Sequence, residues 1–230
     1  MPPESTTALP LKIDIVSDVV CPWCIIGYKQ LQKALAAMPG QFVPTIHWHP
    51  FELNPQMPPE GQDLAEHVAM KYGTTREQSG KARSRLAELG ASLGFEFDYF
   101  DGMRMVNTFA AHQLLHWAGE GESQTALKLA LFEAFFSRRE DVSDPALLAE
   151  VAGRAGLDAQ AAAAVLADGR YAPAVRDVQS VWLEREVHAV PTFYFQDQYM
   201  VPGAQEAGTF QRVLTKIHSR ESGAPQATTA

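Results

Sequence analysis

Cysteine is nearly absent from this chain: two residues in 230, Cys21 and Cys24. A small domain knitted together by disulfides is therefore excluded. A chain of this length needs no such staples, since it can bury a sizeable core as one large domain or as one domain carrying an insertion. Positive charge is also short, with 19 Lys and Arg against 27 Asp and Glu and a formal net charge of −8. That balance argues against a nucleic-acid footprint or an anionic membrane surface as partner. No apolar run approaches the ~20 residues that cross a bilayer. The N-terminal stretch MPPESTTALPLKIDIVS has neither the basic start nor the apolar centre of a secretory leader. The expectation is a cytoplasmic protein, in a compartment that keeps thiols reduced.

What is present falls into an ordered pattern. LKIDIVSDVV is β-branched and apolar enough for a buried strand, and CIIGYKQLQKALAAM then switches to helical spacing, with Ile25, Tyr28, Leu31 and Leu35 on one face. Pro39-Gly40 ends that helix, and FVPTIHWHPFEL reads as a second strand. Strand, helix and strand of these lengths make a βαβ unit with parallel strands. From Asp63 to about Glu186 the periodicity is helical throughout. Thr108, Ser123 and Asp144 stand as N-caps, and Gly73, Gly94, Gly119 and Gly156 follow helix ends. Strand signals return at AVPTFYF and QYMVPG, joined by a short turn around Asp197, and QEAGTFQRVLTKIHS closes the chain as a helix. The order is βαβ, a helical block, then ββα. The expected α/β architecture has one discontinuous domain (11–60 and 187–218), an all-helical insertion (61–186) and flexible termini (1–10 and 219–230).

Three roles are open to the cysteine pair. A structural zinc ion needs four ligands, and C-x-x-C supplies two; His47 and His49, as H-x-H on a strand, lack the spacing to supply the rest. A structural disulfide across three residues would restrict the unfolded chain little, in a compartment that reduces it. Catalysis fits better, because Cys21 falls where the first strand ends and the first helix begins. There, free backbone N–H groups and the positive end of the helix dipole favour a thiolate. Cys24, one turn inward, would be the resolving thiol that attacks a mixed disulfide and releases the partner. Pro22 suits the first helical position.

The segments DIVSDVVCPWCIIGYKQL, HWHPFELNP, NTFAAHQLLHWA, AVPTFYF and VPGAQ, in this order and spacing, resemble the DsbA-like thioredoxin-fold oxidoreductases, in particular the FrnE-type branch. That branch is related to 2-hydroxychromene-2-carboxylate isomerases and kappa-class glutathione transferases. The resemblance implies a thioredoxin-like fold with a helical insertion and a C-P-W-C redox centre. It also implies a cis proline at Val190-Pro191 facing the cysteines, so that an extended substrate could pair with the Val190 backbone. The activity implied is thiol–disulfide exchange on protein or small-molecule disulfides, with no metal or nucleotide cofactor. Electrons would come from glutathione or another redox protein, and a homodimer is possible. Trp23 stands where DsbA carries histidine, which implies a weaker oxidant and a Cys21 less acidic than DsbA's pKa of about 3.5. The family's acidic residue on the first strand matches either Asp14 or Asp18, of which Asp18 is nearer the sulfur. Pro22, Trp23 and Phe51 would present an apolar surface to substrate, and Asn107 lies in a region that lines the cleft in relatives.

Two other functions compete. Glutathione-dependent isomerases or transferases on this scaffold carry serine at the first position, as in S-P-Y-S, so Cys21 and Cys24 argue against that activity. A non-catalytic, chaperone-like binding module would not depend on Cys21. Several other features have plain explanations. His112 and His116 in HQLLH lack the glutamate of the zinc-protease motif H-E-x-x-H and are expected to be a structural or interfacial pair. Asn107 and Thr108 can cap the helix that follows, and alternation places His47 and His49 on one face of a strand with Trp48 on the other. Phe132, Phe135 and Phe136 read as core. His188, two residues before Val190, is a candidate proton partner for the cysteines alongside Asp18.

Overall fold

The computed structural model describes residues 8–222. The first unit is β1 (Leu9–Ser17), α1 (Pro22–Ala36) and β2 (Phe42–Pro50). β2 lies parallel to β1, with Leu9 opposite Phe42 and Ser17 opposite Pro50. The closing unit is β5 (Thr192–Phe195), β6 (Tyr199–Pro202) and α9 (Ala207–Glu221). β5 pairs antiparallel with β1 and with β6, giving one four-stranded sheet in the order β2-β1-β5-β6. The three-residue β5–β6 turn, Gln196 to Gln198, places Gln196 and Asp197 at φ of 52° and 54° and is closed by the Gln198 N–H on the Phe195 carbonyl at 3.0 Å. The Lys12 ammonium holds Asp197 at 2.7 Å.

Strand alternation gives each face of the sheet its own partners. Ile13, Ile15, Phe193 and Phe195 share the face covered by α1 and α9, where the Phe193 and Phe210 rings meet at 4.8 Å. Gly27 of α1 is needed at that contact, because a Cβ there would come within 3.0 Å of the Phe193 ring. Val16 and Tyr194 look the other way, toward Trp182.

Between the two units lie β3 (Gln62–Asp63), α2 (Leu64–Tyr72), α3 (Arg76–Ser92), β4 (Arg104–Met105), α4 (Phe109–Ala118), α5 (Gln124–Phe136), α6 (Pro145–Arg154), α7 (Ala159–Asp168) and α8 (Ala172–Glu184). The insertion is thus not all helical, for β3 and β4 form a short antiparallel ladder. Two-residue strands carry no periodicity, which is why the sequence pattern passes over them. Gly61, at φ +67°, makes the ladder possible, since a Cβ there would sit 2.5 Å from the Met105 carbonyl oxygen. The expected caps divide. Asp144 accepts from the Ala146 N–H, whereas neither Thr108 nor Ser123 makes a side-chain cap bond. The start of α4 is held instead by Asn107, whose Oδ1 accepts from the Phe109 N–H at 2.9 Å. The termini also need correction: β1 begins at Leu9 and α9 runs to Glu221, so those residues are ordered by pairing and packing. Residues 1–7 and 223–230 lie outside the described residues.

Gln124 of the insertion pairs with the edge of the sheet as a strand would. Gln124 accepts from the Trp48 N–H at 2.8 Å and donates to the Trp48 carbonyl at 3.0 Å, so its amide takes the place of a neighbouring strand. The Trp48 indole N–H donates to Thr125. α5 is thereby set against β2 and against the N-terminal end of α1.

Candidate active site

Cys21 is the N-cap of α1, in extended backbone geometry at φ −93° and ψ 110°, and Pro22 occupies the first helical turn. No side-chain hydrogen bond caps this end, and among the backbone N–H groups of the first turn it is that of Cys24 that favours a Cys21 thiolate. Cys24 follows one turn later, and the two cysteines lie 3.3 Å apart as free thiols. Cys24 is fully buried and Cys21 is 3% exposed. Across from them the Val190–Pro191 peptide is cis, and the Cys21 sulfur lies 3.8 Å from the Val190 carbonyl oxygen.

Beneath the pair three charged or polar side chains from distant segments converge. Asp18, fully buried, accepts from the Leu53 N–H at 2.7 Å and from His112 Nε2 at 3.3 Å. The same Nε2 lies 3.0 Å from the Phe51 carbonyl. A carbonyl only accepts, so Nε2 carries the proton and is shared between the two oxygens. Burial works to raise the Asp18 carboxyl, but the hydrogen bond and field of His112, the Leu53 N–H and the charge of Lys128 hold it below the usual carboxylate range. Lys128 on α5 is fully buried, with its ammonium 5.0 Å from the Phe132 ring and 5.4 Å from the Trp48 ring. Burial lowers its pKa to about 8, against the favourable fields of Cys24, Asp18 and Cys21.

The dithiol ionises as a unit. The hydrogen bond with Cys24 raises the Cys21 thiol most, followed by burial and the negative charge of Cys24; the Cys24 N–H pulls the other way. Burial would raise Cys24 too. Its thiol nevertheless ends below its ordinary value, because it accepts from the Cys21 thiol and faces Lys128, Ser17 and the Asp18 N–H. When the pair gives up one proton, these directions leave the remaining proton on Cys21 and the charge on Cys24. The helix N-terminus, which favours a thiolate at Cys21, is thus opposed by Cys24 itself.

The remaining residues singled out in the sequence are placed as follows. Pro22 and Trp23 line the rim of an apolar chamber over Cys21, with Trp23 47% exposed. Phe51 lies outside that chamber, packed with Val16, Trp182 and Val187, and it reaches the site through its carbonyl alone. Asn107 uses both ends of its amide locally, donating to the Met57 carbonyl as well as capping α4. Asp14 is bound to His49 at 2.7 Å and to Lys12 at 3.4 Å, on the sheet face away from α1, so Asp18 is the carboxylate beneath the cysteines. His188 is exposed, and among the described residues it makes no hydrogen bond to Cys21 or Cys24. The pair in HQLLH separates: His112 points inward to Asp18, while His116 lies against the Tyr171 ring at 5.5 Å. Sequence reasoning missed Lys128 altogether. The signal was there, since Leu127, Leu131, Phe132 and Phe135 make an apolar face on α5 that Lys128 interrupts.

Comparison with known proteins matches this arrangement. A model of the DSBA-like thioredoxin domain fits residues 12–215. The solved structure of a probable DsbA oxidoreductase from Streptomyces coelicolor superposes with a TM-score of 0.85 at 32% identity, covering 96% of this chain and 93% of that one. A 2-hydroxychromene-2-carboxylate isomerase superposes with a TM-score of 0.68 at 16% identity, over 94% of this chain and 100% of its own. The cytosolic disulfide reductase DsbM from Pseudomonas aeruginosa, solved with GSH, gives a TM-score of 0.60 at 17% identity, over 92% and 98%. The last two likenesses are of fold. With the family model spanning nearly the whole sheet, insertion and closing helix, and the dithiol at the start of α1, the chain belongs to the DSBA-like thioredoxin-domain family.

Proposed function

We propose that this protein is a thiol–disulfide oxidoreductase in which Cys21 attacks and Cys24 resolves. The observation that carries this reading is two thiols 3.3 Å apart with unequal access. Cys21 borders the chamber and the Val190 carbonyl, whereas Cys24 is sealed beneath it among Lys128, Ser17 and Asp18. Access decides the roles even though Cys21 is the thiol whose pKa is raised. The proton of Cys21 crosses to Cys24 as Cys21 attacks a disulfide sulfur, and the leaving thiolate departs into the chamber. Cys24 must then lose that proton to attack in turn. Lys128, with a pKa of about 8, stabilises the resulting thiolate when charged and can accept the proton when neutral. It also borders a hollow of about 230 Å³ with His47, His112 and His116, which gives the proton a way toward solvent. An extended substrate would add along Val190.

No metal or nucleotide enters these steps. Glutathione or another redox protein restores the dithiol, in a reducing cytoplasm where both thiols stand free. The test is thiol trapping with mass spectrometry across glutathione redox buffers, together with a Cys24→Ser variant. A reversible Cys21–Cys24 disulfide forming between about −270 and −120 mV, and a mixed disulfide on Cys21 that accumulates in Cys24→Ser, support the reading. Absence of an internal disulfide at every ratio, with only a stable glutathione adduct on Cys21, would sink it. That outcome would favour the glutathione-dependent isomerase or transferase chemistry that a roofed chamber over the first cysteine also accommodates.

A further inference from the structure

The chamber over Cys21 says more about substrate than the dithiol does. Its volume is about 360 Å³, within the range of small-molecule sites. The thioredoxin-like part contributes residues 20–23, Leu53 and Val190, and α2, α3 with the loop between them, the 99–105 segment and the end of α5 supply the rest. Leu64, Val68, Leu86, Met103 and Phe135 make that wall overwhelmingly apolar. Cys21 is 3% exposed, so a folded protein loop could reach the sulfur only by displacing the α2–α3 wall.

One cation faces this apolar space. Arg83 of α3 lines it, and among the described residues Arg83 has no ion-pair partner. Asp98 and Asp101 line a neighbouring hollow together with Arg83; Asp98 is taken by Arg139 at 2.7 Å, and among the described residues Asp101 makes no ion pair with Arg83. The adjoining Tyr99 is largely buried, and burial raises its hydroxyl pKa, so it stays a neutral donor. A largely apolar cavity with a reactive sulfur at one end and an unpaired guanidinium at another is built for a ligand of matching polarity.

We infer that the chamber binds a low-molecular-weight disulfide whose body is apolar and which carries one anionic group for Arg83, in preference to a polypeptide or the highly polar glutathione disulfide. The inference rests on the oxidoreductase reading above and names its substrate class. In the reductive direction Cys21 forms an S–S bond to one ligand sulfur, and the second ligand sulfur leaves as a thiolate that takes up a proton. Cys24 then attacks Cys21, forming the internal disulfide and releasing the first ligand sulfur as a second thiol. Two electrons pass from the dithiol to the ligand, whose two thiolates take up their protons from the dithiol and from solvent, and a glutathione-class thiol reduces the protein again.

The test uses the full-length chain with dithiobis(nitrobenzoate), an anionic aryl disulfide, its uncharged analogue dithiodipyridine, glutathione disulfide and a disulfide-bonded peptide. Each rate constant is normalised to that of free cysteine with the same reagent, to remove intrinsic reactivity. The expected result is saturable kinetics with both aryl disulfides and at least a tenfold normalised preference for either over the peptide and over glutathione disulfide. Arg83→Gln should lower the ratio of anionic to uncharged rates by about tenfold. Ala82→Trp, which adds bulk from an exposed position on α3 into the chamber, should slow both aryl disulfides at least tenfold. Equal normalised rates for peptide and aryl disulfides, or ratios unmoved by both substitutions while Cys21→Ser abolishes exchange, would overturn the substrate class and leave the oxidoreductase standing. Full activity retained in Cys21→Ser would overturn both.

Discussion

Asp18 and His112 meet at 3.3 Å with both side chains 1% exposed, although 94 residues separate them in sequence. One follows directly on the first strand and the other stands on α4, so a single buried contact ties the sheet to the insertion directly under the dithiol. The Phe51 carbonyl shares the same His112 nitrogen. Breaking a buried pair by removing one partner leaves the other without compensation and costs about 3–5 kcal/mol.

His112→Leu should therefore lower unfolding free energy by roughly that amount, and the double variant with Asp18→Asn should lose clearly less than the two single losses added together. Denaturant titrations of the four proteins measure the coupling. The pH dependence has a definite sign. The folded Asp18 carboxyl lies below its ordinary value of 3.8. Its stabilisation is therefore present above that value and lost as pH falls through the lower, folded-state pKa. The difference between wild type and Asp18→Asn should shrink only in that acid range.

Lys128 separates stability from function. Its pKa of about 8 against an ordinary 10.5 corresponds to roughly 3 kcal/mol against the charged form. That penalty is present in full below about pH 8 and is relieved as pH rises from there toward 10.5, because over that interval the unfolded chain holds the proton that the folded chain has shed. Lys128→Met should consequently stabilise the protein at pH 7 by about 1–3 kcal/mol, with a gain that diminishes above about pH 8. The same variant should resolve a mixed disulfide more slowly, since Cys24 loses the charge that favours its thiolate. Chemical denaturation at several pH values and stopped-flow release of a labelled thiol test the two halves separately.

The order of elements is legible in the sequence because each depends on a local pattern. A β-branched apolar run marks β1 and a strand-like segment bounded by Pro39-Gly40 marks β2, 3.6-residue periodicity marks the helices of the insertion, and the positions of Cys21, Cys24 and Pro22 follow from where β1 gives way to α1. What lies under the dithiol is not legible, because it is assembled across long separations. In sequence His112 is half of a histidine pair, and only the placement of α4 aims it at Asp18. Lys128 is one lysine on an apolar helix face, and only the packing of α5 against Trp48 shows that its charge stays inside. The field on the second thiol is hidden for the same reason: the helix N-terminus acts on Cys21 and is visible in sequence, whereas Lys128 acts on Cys24 and is not.

Gly61 provides a test of the chamber's support. Its φ of +67°, and the 2.5 Å that would separate an added Cβ from the Met105 carbonyl oxygen, combine a left-handed backbone with a backbone clash. Gly61→Ala should cost at least about 2 kcal/mol and loosen the β3–β4 ladder. Equilibrium unfolding and faster amide exchange at Gln62 and Met105, which face each other across that ladder, are the readouts.

The two cysteines should respond in opposite directions when separated. In Cys24→Ala, the Cys21 thiol loses the hydrogen bond and the negative charge that raise it, and keeps the N–H of residue 24 that lowers it. Its pKa should fall, and alkylation at neutral pH should accelerate. In Cys21→Ala, the Cys24 thiol loses the donor that holds it down while its burial persists, so its pKa should rise despite Lys128. Ultraviolet thiolate absorbance against pH, with alkylation rates as a second measure, follows each single cysteine. If both thiols shift the same way, the proton is not shared between them, and the placement of the singly ionised pair's charge on Cys24 fails. Opposite shifts would mean that the attacking sulfur is held protonated by its own partner until substrate enters, so that a reduced but idle dithiol is shielded from adventitious alkylation and oxidation.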